Sequence, residues 1–332
     1  MIDLTTGYLG LTLKNPIIVG SSGLTDSAEK VKTLQENGAA AVVLKSIFEE
    51  EITLEYEKIV AEEAPKRYKD EFLDYLDYRI KDQNLNRYVD LIASAKKAVE
   101  IPVIASVNCS SKHEWTNFAY QMQEAGADAL EVNLFVLPSN INKSPEDSEK
   151  FYFDVINGLK NKLKIPIALK ISYYFTNLAL MIQKLSESGI DGLVLFNRFY
   201  SPDIDTEKME VTSTNVLSHP DELVIPLRWI AIMANRVKCD LVASTGIHDG
   251  KAVIKQLLAG AQAVQVVSTI YNNGPEKIQN MLKDLKKWMI NHEFQTIDDF
   301  RGKLSQVNAG NPSVYERVQF MRYFSDRDKS SK

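Results

Sequence analysis

Short, continuous apolar runs separated by helical patterns set the rhythm of this chain. In order they cover 17–20, 41–45, 103–107, 129–133, 167–171, 192–197, 241–245 and 263–267. None alternates polar with apolar residues as a half-exposed strand would, so each reads as a parallel strand covered on both faces. The phrases ENGAAAVVLKS, EAGADALEVN, ESGIDGLVLFN and LAGAQAVQVVS repeat one joint, in which a helix stops at Gly38, Gly126, Gly189 or Gly260 and a strand follows. Glycine supplies the left-handed residue that a helix C-terminus needs there. Pro102 and Pro166 stop helices ahead of two further strands. Asp26 or Ser27 can cap a helix running to Asn37-Gly38.

Eight strands, preceded by a hairpin over Asp3–Leu13, predict an α/β fold of the (β/α)8 TIM-barrel type. A doubly wound open sheet is the alternative. The whole of 1–332 reads as one domain, since α/β barrels often exceed 250 residues. Two stretches exceed what connections need. They are 49–88 after the second strand and 199–228 after the sixth, the latter carrying Pro202, Pro220 and Pro226 without a clear period. Long insertions over a barrel mouth serve as lids or oligomer contacts, and a homodimer is expected.

Composition narrows the partners more than the fold. A net charge of −5 provides no basic field for nucleic acid or a membrane surface. The N-terminus carries Asp3 and Lys14 and lacks the pattern of a signal peptide, and no run reaches the roughly 18 apolar residues of a membrane span. Cys109 and Cys239 stand far apart without metal-ligand spacing. A reduced, cytoplasmic protein with no metal of its own is expected.

In a barrel, chemistry sits at the C-terminal strand ends. Here those ends read Gly20-Ser21-Ser22, Lys45-Ser46, Asn108-Cys109-Ser110, Asn133, Lys170, Asn197, Thr245-Gly246 and Ser268-Thr269. Each has a plain reading, a lysine reaching solvent or an asparagine closing a turn. As a set on one face they point to a ligand, because buried amides and ammonium groups without partners are costly. Asparagine matches the mixed donor and acceptor edge of a pyrimidine-like ring, and lysine can stabilise a ring system that becomes anionic on reduction. The backbone around Thr245-Gly246 and Ser268-Thr269 forms a candidate phosphate cradle.

The motifs Gly10–Pro16 (GLTLKNP), Leu44-Lys45-Ser46, Glu131-Val132-Asn133-Leu134, Ala168-Leu169-Lys170, Asn197 and the tail Phe294–Leu304 resemble the dihydroorotate dehydrogenase family, its soluble class above all. The resemblance implies an FMN-containing barrel that oxidises dihydroorotate to orotate. Lys45 and Ser46 would touch flavin and substrate, and Asn133 both. Lys170 would face the flavin's pyrimidine edge, Asn197 would bind substrate, and Thr245-Gly246 and Ser268-Thr269 would hold the phosphate. Gly20, Ser21 and Asn108 join the cofactor set by their place at strand ends. The electron acceptor stays open, and an NAD-linked system would need a partner carrying FAD and an iron–sulfur cluster.

Three departures stand out. The family's fourth strand leads into a Leu-Ser-Cys-Pro-Asn type sequence whose Cys, or Ser in the membrane class, is the base. Here the chain reads Leu134-Phe135-Val136-Leu137-Pro138-Ser139-Asn140. The base position is Val136 or Leu137, and neither accepts a proton. Replacement acids or bases are sought in Ser139, Cys109, Tyr173, Tyr174 and Tyr200. The family's glycine-rich stretch after strand six is replaced by Val216–Pro220, and its substrate-covering loop by the 49–88 insertion. A different small cyclic substrate, a non-catalytic flavin protein, and a non-redox aldolase or isomerase using Lys170 as a Schiff-base lysine remain alternatives.

Overall fold

The computed structural model describes residues 2–48, 52, 54–56, 58, 60, 70–108, 115–134, 136–198, 202–213 and 216–316. An antiparallel hairpin, β1 (Thr6–Tyr8) and β2 (Leu11–Leu13), opens the chain as the pattern predicts. β3 (Ile17–Val19) follows, then α1 (Ala28–Glu36), β4 (Ala41–Val43) and its short continuation β5 (Ile47–Phe48). Of the two candidate caps for α1 the structure uses Ser27, whose hydroxyl accepts from Lys30 N at 3.4 Å. The long α2 (Asp70–Ala98) precedes β6 (Val103–Asn108), α3 (Trp115–Glu124), β7 (Ala129–Leu134), α4 (Pro145–Lys160), β8 (Ile167–Ile171), α5 (Leu178–Glu187) and β9 (Gly192–Leu195).

Strand six is therefore shorter than the expected 192–197. The 199–228 stretch is also more ordered than its composition suggests. It holds a second hairpin, β10 (Pro202–Asp205) with β11 (Glu210–Ser213), then a 3-10 turn (Pro220–Leu223) and the start of α6 (Val224–Met233). Pro220 and Pro226 fit because a first helical turn asks nothing of a missing N–H. β12 (Asp240–Ser244), α7 (Gly250–Ala259), β13 (Ala263–Val266), α8 (Ser268–Asn273) and α9 (Lys277–Asn291) complete the cycle.

The strands run β4-β3-β13-β12-β9-β8-β7-β6, and β6 pairs back with β4, so eight parallel strands close a (β/α)8 barrel. Gly38, Gly126, Gly189 and Gly260 all have positive φ, from +87° to +119°, as the repeated joint requires. Two apolar layers result. The larger lies between strands and helices. The smaller fills the N-terminal half of the barrel with Ile18, Val43, Ile104, Ala129, Ala168, Val194, Val242 and Ala263, closed below by Tyr8, Leu9 and Leu13 of the hairpin. Gly192 lets that plug seat, since a Cβ there would stand 2.7 Å from Leu9 Cδ2. Asp240 accepts from Leu9 N at 2.8 Å and anchors it.

Among the described residues no helix is long and apolar enough to cross a membrane, and no group of three His, Cys, Asp or Glu side chains is placed to hold a metal.

Candidate active site

Side chains two residues apart on a strand share a face, so the strands that turn small apolar groups into the lower barrel turn polar groups into its upper half. On β7, Ala129 is followed inward by Glu131 and Asn133. On β8, Ala168 is followed by Lys170, and on β13, Ala263 by Gln265. Glu131 is fully buried, and Gln265 and Asn133 nearly so. Their polar atoms meet in two clusters.

The first joins β3, β4, β6 and β7. Ser46 Oγ lies 2.7 Å from Ser106 Oγ and 3.0 Å from Ser21 Oγ, and Asn133 Nδ2 donates to Ser46 Oγ at 3.1 Å and to Ser106 Oγ at 3.0 Å. Ser46 N donates to Ser21 Oγ at 2.8 Å. The break in strand two at Lys45-Ser46 makes this possible. Residues 41–43 and 47–48 both pair with β6, while Ser106 N, facing the gap, donates to the buried Tyr88 hydroxyl at 2.7 Å. Burial pushes that phenol's pKa well up, which keeps it protonated. Tyr88, on α2, thus bonds directly to the strand that carries Ser106. Asn108 is half-buried beside Asn133, and Lys45 is half-buried with its backbone N–H on Thr25 O.

The second cluster crosses the barrel. Lys170 Nζ donates to Gln265 Oε1 at 2.8 Å and stands 3.7 Å from Glu131 Oε1, while Gln265 Nε2 donates to Glu131 Oε2. Only 12% of the Lys170 side chain is exposed. The plain reading of a lysine reaching solvent therefore does not hold, because the barrel interior supplies it with an amide oxygen and a carboxylate. Gly20 belongs here too, since a Cβ on it would lie 3.0 Å from Val267 Cγ2 and 3.3 Å from Gln265 Oε1.

Above Lys170 opens a cavity of about 490 Å³, within the range of small-molecule and cofactor sites. Ser21, Ser22, Lys170, Asn197, Ser244, Thr245, Gly246, Gln265 and Ser268 line it. Asn197 Nδ2 donates to Lys170 O at 3.2 Å. Thr245 and Gly246 have φ of +80° and +75°. For a β-branched residue that is an outlier, worth roughly 1–3 kcal/mol of strain and typical of ligand sites. Thr245 Oγ1 donates to Phe196 O at 3.3 Å, and Gly246 admits Leu223 N so closely that a Cβ would lie 2.2 Å from it. The first turn of α8 brings the N–H groups of Ser268 and Thr269, which have no intrahelical acceptor. Ser268 Oγ accepts from Ser218 N at 2.9 Å, whereas the buried Thr269 hydroxyl donates to His248 O at 3.1 Å and Thr269 is not part of the cavity lining.

Of the residues suggested as replacement bases, Tyr173 and Tyr174 line a smaller cavity of about 280 Å³ that shares Asn197, Arg198 and Thr245 with the first, and the other described ones do not gather here. Val136 is half-buried against the outer core, its backbone bonded to Tyr152, and Leu137 is half exposed. Ser139 is exposed and lies outside the cavity lining. Tyr173 is bonded to Tyr174, which together with burial pushes its pKa to about 12, so it stays a proton donor near neutrality. Cys109 and Tyr200 lie outside the described residues. A separate cavity of about 610 Å³ between the Val136–Asn140 loop, α4 and Tyr174-Phe175 shares no lining residue with the first.

Glu131, Gln265 and Arg198 were not singled out by sequence reasoning. Arg198 lines the cavity, bonded through Nε to Glu222 at 2.9 Å and through Nη1 to Val216 O at 2.8 Å. A carboxylate and an amide inside otherwise apolar parallel strands are the signal that marks the first two.

A closed parallel barrel with a polar, ligand-sized mouth is the architecture of a barrel enzyme. The family model for dihydroorotate dehydrogenase matches residues 3–289, and the chain belongs to that family, whose members are oxidoreductases acting on a CH–CH bond. It is 27% identical over 310 residues to the catalytic subunit of dihydroorotate dehydrogenase B (NAD(+)) of Thermoplasma acidophilum, covering 91% of this chain and 99% of that one. The corresponding subunit of Thermoplasma volcanium is 28% identical, at 91% and 98% coverage, and that of Methanothermobacter thermautotrophicus 25%, at 90% and 97%.

Proposed function

We propose that this chain is an FMN-dependent dehydrogenase acting on dihydroorotate or a closely related small cyclic substrate. The observation that carries this reading is the convergence of Lys170, Asn197, Ser21, Thr245-Gly246 and Ser268 on one cavity above a buried polar interior. Members of the family are typically flavoproteins. The residues present fit FMN. Thr245-Gly246 and the first turn of α8 would hold its phosphate, Gly20 and Ser21 its isoalloxazine edge, and Lys170 its pyrimidine end. Bound there, the flavin would supply a hydride acceptor whose reduced ring carries negative charge toward its pyrimidine end. Lys170 supplies positive charge where that negative charge develops. Asn133, backed by Ser46 and Ser106, and Asn197 offer amide groups to the substrate ring. The relatives' names point to NAD+ as terminal acceptor, reached through a partner protein. A homodimer, with the 49–88 and 199–228 insertions near its mouth, belongs to the same reading.

Val136 and Leu137 support a second reading, in which the flavin is bound but dihydroorotate is not turned over. The Schiff-base alternative is disfavoured, because that chemistry needs a free amine and Lys170 is held between Gln265 and Glu131. Anaerobic mixing of flavin-loaded protein with dihydroorotate tests the substrate. Bleaching supports it. An unchanged spectrum with dihydroorotate and with orotate moves the assignment to another substrate.

A further inference from the structure

We infer that Glu131 and Gln265 are positioning residues that hold the Lys170 ammonium at the cavity floor. Glu131 is fully buried in β7 and its Oε1 has no hydrogen-bond partner among the described residues, an arrangement costly enough to need a reason. The nearest cation is Lys170, 3.7 Å away. Gln265 bridges the two, and its amide can sit only one way round, with oxygen toward the ammonium and nitrogen toward the carboxylate. Glu131 and Lys170 come from the neighbouring strands β7 and β8 and Gln265 from β13 across the barrel, so no local turn or cap accounts for them. Tyr8 closes the space below, its hydroxyl buried without a hydrogen-bond partner among the described residues and its pKa raised by burial first and the Glu131 charge second. The relay fixes where the lysine's charge sits, and Glu131 acts on the flavin only through Lys170.

This inference rests on the flavin reading for its catalytic consequence but not for its geometry, so two measurements separate them. In flavin-free protein, acylation of lysines by acetic anhydride followed by mass spectrometry compares Lys170 with Lys208, an exposed control. Glu131→Gln, by removing the ion pair, and Gln265→Leu, by removing the amide that holds the ammonium in place, are each expected to raise relative labelling of Lys170 roughly tenfold. Unchanged labelling in correctly folded variants overturns the relay. If Glu131→Gln does not fold, Gln265→Leu, which keeps the carboxylate, decides. In flavin-loaded protein, sulfite, which adds to oxidised flavin and leaves it anionic, reads the charge near N1. Each variant should weaken sulfite binding roughly tenfold, and neither should add to the loss caused by Lys170→Ala. Full additivity on the Lys170→Ala background would mean that Glu131 and Gln265 act independently, against the inference. A chain that takes up no flavin refutes the flavin reading, and the labelling result still stands or falls by itself.

Discussion

The lower and upper halves of this barrel are built from the same strands and do opposite things. Below, Ala129, Ala168, Val242 and Ala263 leave room for Tyr8 and Leu9, and the interior is apolar and sealed. One step further along the same inward faces, Glu131, Lys170, Gln265 and Asn133 make it polar. Burying that second layer is costly, and hydrogen bonds across the barrel offset the cost only in part, since Glu131 Oε1 has no hydrogen bond among the described residues. The lower half stabilises the fold. The upper half holds charged and amide groups at the barrel mouth at a cost in stability.

The comparison breaks most visibly at the rim. A positioned general base contributes about 10²–10⁴-fold, and Val136 and Leu137 supply none, so dihydroorotate turnover is expected to lag behind relatives with a base by that factor. Val136→Cys or Leu137→Cys should recover part of it in stopped-flow reduction. Rapid reduction by the unaltered chain, insensitive to substitution of Ser139, Tyr173 and Tyr174, would contradict the missing base.

Next in size is Lys170→Ala. Loss of a charge-stabilising donor should slow flavin reduction by about 2.7–4 kcal/mol of barrel-mouth electrostatics. Because Glu131 then lies buried without its cation, denaturant titration should also show a loss toward the lower end of the roughly 3–5 kcal/mol found for broken buried pairs. A fully stable variant would show that the pair contributes nothing to folding. In the lower half, Gly192→Ala forces a methyl against Leu9 and should cost about 1–3 kcal/mol of stability with flavin content and reduction rate unchanged. A change in reduction rate would mean that the two halves are not separable.

The smallest effect concerns His248. Burial, opposed by the Ser218 contact, holds its pKa below the ordinary 6.5. The unfolded chain therefore binds a proton more readily, and this stability is present above about pH 6.5 and lost as pH falls through the folded value. His248→Asn should flatten thermal stability against pH below about 6.5. An unchanged slope would exclude His248 as its source.

Much of this was legible in the chain. The eight strands, the leading hairpin and the glycine stops fall within a few residues of their predicted places, because buried parallel strands must be continuously apolar and helix ends need left-handed residues. The hairpin's role as a plug was not legible, since nothing local says that Tyr8 and Leu9 meet Gly192. The order in 199–228 was missed because β10 and β11 carry exposed, charged residues on a free hairpin. Lys170 is legible as a site residue at its strand end, but its partners are not. Glu131 sits on the neighbouring strand, but Gln265 lies 95 residues away in sequence and only closure of the barrel brings it to the pair.

The account stands on the upper half being a flavin chamber. Its most direct test is the cofactor itself, released by denaturation from protein purified and reconstituted with excess FMN, then identified and counted per chain. One FMN per chain, lost in parallel with substitutions at Gly246 and Ser268, is the predicted result. Protein that stays colourless and takes up no FMN, or that releases FAD, would contradict it.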